Sequence, residues 1–87
     1  MFIYSVYDKK ALSFSPLFIA ENDDVAKRIV FMSMASNTML SSSPSDFSLY
    51  RLGEFDSNNG NVSGISPVML VCEVLSLIKV DKDKESN

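Results

Sequence analysis

An α+β fold is predicted: an antiparallel sheet of two β-hairpins in the order β-β-α-β-β, one principal helix on one face, and an apolar C-terminal segment. Three stretches carry this reading. Phe2–Tyr7 (FIYSVY) alternates, with Phe2, Tyr4 and Val6 on one face. Asn22 precedes a run with helical apolar spacing. Pro44 to Gly60 (PSDFSLYRLGEFDSNNG) packs a strand, a polar turn and a reversal into one short run.

Taken in order, the first strand occupies the N-terminus and Asp8, Lys9 and Lys10 form a charged turn. A second strand, from Leu12 or Phe14 to Ala20, completes an antiparallel hairpin. Pro16 within it demands an edge position or a bulge, because proline donates nothing to a ladder. With Asn22 as N-cap, the helix should run from Asp23 to about Ala35. Val25, Ile29 and Met32 form its apolar stripe, with Phe31 and Met34 off it. Asn37 to Ser45 is a Ser-rich connection that reads as a mobile loop.

Phe47, Leu49, Tyr50, Leu52 and Phe55 suit a pleated, half-buried strand. Asn59-Gly60 offers the two positive-φ positions of a type I′ turn, leading to a short return strand near Val62 to Ile65. Ser66-Pro67 reads as a helix start. The following VMLVCEVLSLIKV is long for a strand, and its valines weaken it as a helix, so both remain open. Residues 1–80 are expected to form one domain and 81–87 (DKDKESN) a charged, disordered tail.

Composition narrows the function. With 46% hydrophobic and 22% charged residues the chain is globular rather than disordered. No apolar run approaches a membrane span, and no basic segment followed by an apolar one suggests a signal peptide, so no membrane association is expected. The single Cys72 forms no intramolecular disulfide and reads as a small core residue in a reducing compartment. Without His there is no Ser-His-Asp or Cys-His nucleophile and no imidazole metal site. Gly53, Gly60 and Gly64 build no phosphate-binding loop. Asp23 with Asp24, or Asp81 with Asp83, are the carboxylate pairs available to a hard cation. The first pair is better explained by a helix first turn, the second by a solvated tail. No enzyme, cofactor or metal is expected.

Three stretches carry a family resemblance: YSVYDKK at Tyr4–Lys10, PLFIAENDDVAKR at Pro16–Arg28, and PSDFSLYRLGEFD at Pro44–Asp56 with the following NNG. In this order, over about residues 1 to 70, the chain resembles the small nonstructural protein of gokushoviruses, single-stranded-DNA phages of the Microviridae. The resemblance implies a nonstructural or DNA-binding protein of the host cell cytoplasm. It would act in the switch from genome replication to single-strand synthesis and packaging.

The residues support this unevenly. A formal net charge of −3 is unsuited to coating a polyanion. Lys9, Lys10, Lys27, Arg28 and Arg51 would nevertheless form a modest basic patch if folding gathered them on one face. Tyr4, Tyr7, Phe14, Phe18, Phe47 and Tyr50 include candidates for base stacking, with Tyr7 and Tyr50 the best because their neighbours are polar or charged. The competing expectation is a protein–protein adaptor that binds a phage replication or capsid protein, or itself. One helix does not cover both faces of a four-stranded sheet, so a homodimer is expected. Phe31, Met34 and the run from Val68 to Ile78, with Val68, Leu70, Leu75 and Ile78, would donate its interface.

Overall fold

The computed structural model describes residues 1–78. Five strands form one antiparallel sheet: β1 (Phe2–Asp8), β2 (Ser13–Phe14), β3 (Phe18–Ala20), β4 (Phe47–Phe55) and β5 (Val62–Glu73). Helices α1 (Asp23–Ser33) and α2 (Thr38–Ser42) and a 3-10 turn (Pro44–Asp46) lie between β3 and β4. Residues 74–78 are helical. The sheet order is β2-β1-β4-β5, with β3 pairing the same edge of β1 as β2. The α+β class and the single principal helix are those the sequence predicts.

The expected second strand is two strands, broken at Ser15-Pro16-Leu17. Proline breaks the ladder at the sheet edge, as its missing N–H requires. Leu12 belongs to the preceding turn, where it is left-handed (φ 58°) and its N–H donates to Asp8 O. The Asp8 carboxylate accepts from the Lys10 and Ala11 N–H groups and shapes that turn.

The Asn22 side chain caps α1 by accepting from the Val25 N–H at 2.9 Å. The buried stripe of α1 is Ala26, Val30 and Met34, in place of the expected Val25, Ile29 and Met32. Ile29 and Met32 face outward. The Ser-rich connection is folded: Asn37 Oδ1 accepts from the Met39 and Leu40 N–H groups, and buried Leu40 anchors the α2 turn.

Strand β4 spans the residues expected of it. The turn after it differs from type I′: Gly60 alone has positive φ (78°). Asp56 Oδ1 accepts from the Asn58 N–H and Asn59 Oδ1 from the Asn61 N–H, and these local bonds hold Asn59 at negative φ. β5 then continues through Ser66-Pro67, where a helix was expected to start, and the helix begins only at Val74. Pro67 lies on an edge strand, in the irregular stretch between the Gly53–Gly64 and Arg51–Met69 pairs. The tail expected at 81–87 lies outside the described residues.

Opposed residues on neighbouring antiparallel strands share a face. The face toward α1 carries Tyr4, Phe18, Ala20, Phe47 and Leu49, which join Ala26, Val30, Met34, Leu40 and Val74 in the core. The opposite face carries Ile3, Ser5, Tyr7, Phe14, Ser48, Tyr50, Leu70 and Glu73, and none of the described helices lies over it.

Candidate nucleic-acid interface

Two strands bring the open face together through a shared pattern. β1 reads Tyr4-Ser5-Val6-Tyr7 and β4 reads Phe47-Ser48-Leu49-Tyr50. They run antiparallel with Ser5 opposite Tyr50, Val6 opposite Leu49 and Tyr7 opposite Ser48. Each tyrosine on the open face therefore faces a serine. A small residue across the strand leaves room for a ring to lie down. Ser5 and Ser48 are 0% and 1% exposed on a face that none of the described helices covers, so neighbouring side chains shield them. Their hydroxyls are satisfied: Ser5 Oγ donates to Ser15 O at 2.7 Å, and Ser48 Oγ to Glu73 Oε1 at 2.7 Å.

Phe14, opposite Tyr7, completes a three-ring cluster. The Tyr7–Phe14 centroids lie 4.8 Å apart, Phe14–Tyr50 5.6 Å and Tyr7–Tyr50 6.2 Å, all tilted or edge-to-face. These are favourable aromatic arrangements. Tyr7 and Tyr50 are half-buried and Phe14 is 44% exposed. Sequence reasoning counts Phe14 among the possible stacking rings, behind Tyr7 and Tyr50, but does not single out the two serines. The repeated aromatic–Ser–aliphatic–Tyr pattern is the signal that could find the serines.

Phe14, Tyr7, Ser48 and Glu73 form one row across the sheet. Lys9 closes its end, with Nζ 2.6 Å from Glu73 Oε1 and 3.2 Å from Ser45 O. The hydrogen bonds from Lys9 and then Ser48 hold the Glu73 carboxyl below its ordinary range. Lys10 is exposed in the adjoining turn.

The remaining basic candidates are elsewhere. Lys27 and Arg28 belong to α1, on the other side of the sheet. Arg51 points to that side too. Its Nη2 and Nε lie 2.7 and 3.2 Å from Asp23 Oδ1, and its Cζ is 4.3 Å from the Phe2 ring centroid. The five basic residues do not make one patch, and Arg51 and Lys9 already hold carboxylates. Tyr4 and Phe47 are core, and Phe18 stacks on Tyr4 at 5.7 Å.

Of the expected interface donors, Met34 is buried in the core. Phe31, Val68 and Leu70 are exposed. Leu75 is half-buried, and half-buried Ile78 packs against the core. Cys72 is half-buried too, and burial pushes its thiol upward, away from a reactive thiolate. Among the described residues no group of three or more His, Cys, Asp or Glu is placed to hold a metal ion. None of their helices is long and apolar enough to cross a membrane.

A sheet with helices on one face and rings on the other is one of the architectures that binding modules use. The chain belongs to the Phage ORF5 protein family, whose sequence pattern matches residues 1–77, and is thus a bacteriophage protein. No curated protein and no solved structure matches it.

Proposed function

We propose that this phage protein binds single-stranded DNA on its open sheet face, without catalysing a reaction, as a nonstructural factor of gokushovirus type. It would work in the host cell cytoplasm, where the genome passes from replication to packaging. The observation that carries the reading is the Tyr7–Phe14–Tyr50 cluster on an antiparallel sheet face, with Phe14 exposed and both tyrosines partly so. Unpaired bases stack on such rings whatever their sequence, and sheet-borne aromatics hold two or three bases in RNA-recognition domains.

Pairing of Lys9 with Glu73 and Arg51 with Asp23 shifts the balance from phosphate contacts toward stacking. The test is titration of labelled single-stranded DNA across a salt series. Replacing Tyr7 and Tyr50 by Leu keeps apolar bulk but removes the π-faces, and should weaken binding about tenfold or more. Lys9→Glu with Lys10→Glu should lower affinity and flatten the log–log salt slope by about 0.7 for each phosphate no longer neutralised. If the parent protein binds nothing at low salt, the reading fails.

A second reading, the protein–protein adaptor, has its own observation. An apolar groove of about 390 Å³ runs between α1, α2 and β1, lined by Val6, Phe18, Ile29, Val30, Leu40 and Phe47. A phage replication or capsid protein would be the partner. Substituting Ile29 by Asp would then abolish function while leaving DNA binding intact.

A further inference from the structure

We infer that the outer edge of β5 is a seam between two copies of this chain, which pair antiparallel through Val68 to Cys72 and join their sheets into one. Among the described residues β5 is the last strand of the sheet, and β4 is its one strand partner. The helix layer sits off-centre, with α1 lying closest to β3, on the opposite side of the sheet. From Val62 to Leu70 only Ile65 is even half-buried, so this strand lies bare on its edge and largely on both faces. Val68, Met69 and Leu70 are all exposed, Leu70 by 50%.

Proteins normally blunt such an edge with lysine, proline or short strands. The opposite edge is blunted in this way: β2 and β3 have two and three residues and are separated by Pro16. β5 has 12 residues, and its own Pro67 lies before Val68, in the irregular stretch. Val68 to Cys72 has neither proline nor charge.

The occupant follows from these features. Among the described residues this edge offers an unpaired backbone ladder, so the partner must present an unpaired strand, and a second copy presents one. A two-fold pairing uses the same patch on both copies and needs no second surface. The chain carries net charge −3, yet Val62 to Cys72 is uncharged, so two copies meet there without like-charge contact across the seam. A charged partner would find no opposite charge between Val62 and Cys72 to read.

Antiparallel pairing within one sheet places the two-fold axis normal to the sheet. Both α1 helices then lie on one side and both ring clusters on the other. Where the DNA-binding reading holds, one strand would meet two stacking sites on a single continuous face, and affinity would rise by avidity without new contacts.

Sedimentation without DNA tests the seam independently of the DNA-binding reading. The parent protein should sediment as a dimer at micromolar concentration. Met69→Lys with Leu70→Lys should halve the mass and leave the circular dichroism unchanged. If that double variant loses its fold, Val68→Lys alone serves in its place. Ile29→Lys with Met32→Lys, on the exposed side of α1, should stay dimeric. A monomeric parent, a folded edge variant that remains dimeric, or dissociation by the α1 variant alone would each overturn the seam.

Discussion

Asp23 Oδ1 lies 2.7 Å from Arg51 Nη2, which ties the first residue of α1 to the middle of β4. The same oxygen accepts a 2.7 Å hydrogen bond from the Tyr4 hydroxyl. One carboxylate thus joins the helix to both central strands, and Arg51, with its Cζ over the Phe2 ring, is held from both sides.

Asp23→Asn should destabilise the fold by about 1–2 kcal/mol, since it leaves a partly buried guanidinium with a weaker acceptor. Burial opposes the Asp23 charge, but bonds from Arg51 and Tyr4 outweigh it and hold the carboxyl below its ordinary 3.8. The stability it contributes is therefore present above that value and lost as pH falls through the folded value. Urea unfolding from pH 7 to pH 2 should show a shallower acid loss in the variant than in the parent.

Tyr4 predicts the opposite limb of the pH profile. Burial, and then its bond to the Asp23 carboxylate, push the phenol from 10.0 up to about 12. A raised pKa means stability that is complete below pH 10 and lost as pH rises toward 12. The loss should reach about 2–3 kcal/mol, from the 1.36 kcal/mol that each pKa unit represents. Tyr4→Phe should be less stable at neutral pH yet lack this part of the alkaline loss. An unchanged alkaline limb in Tyr4→Phe would refute the assignment.

Two glycines should respond to alanine for different reasons. A Cβ on Gly53 would collide with the Ser63 carbonyl oxygen, backbone that cannot swing away. Gly53→Ala should cost about 1–3 kcal/mol and disturb the β4–β5 ladder. Gly60 has open space but φ +78°, so its alanine variant should cost about 1 kcal/mol with the ladder intact. Amide exchange along β5 separates the two: faster in Gly53→Ala, unchanged in Gly60→Ala.

Local chemistry was legible in the sequence where one residue decides the outcome. Asn22 caps a helix by its own side chain, Pro16 breaks a ladder by its own ring, and the β4 residues carry β propensity through nine positions. Rotation about the helix axis was not legible. Val25, Ile29 and Met32 and the stripe Ala26, Val30 and Met34 are both apolar at helical spacing, offset by about 100°. The tie from Asp23 to Arg51 selects between them, because Ala26, Val30 and Met34 stand three, seven and eleven positions after Asp23, on its side of the helix. That tie depends on strand register, and so does the site. Whether Arg51 joins Tyr50 at a DNA surface or turns to the helix side is a matter of pleat, and composition around it is the same either way. Apolar content likewise marked Met34 for an interface when the helix rotation makes it core.

The placement of β1 imposes an order on synthesis. β1 is made before β4 yet ends in the interior of the sheet, and Met1 N donates to the Phe55 carbonyl 54 positions away. β1 finds its hairpin mates by Ala20, but its other flank stays bare until β4 has left the ribosome. On the nascent chain Tyr7 has no Ser48 opposite it and Ser5 no Tyr50. A product that stops short of Phe47 is thus a hairpin and a helix with an open inner flank, a hazard for aggregation rather than a partial version of the finished molecule.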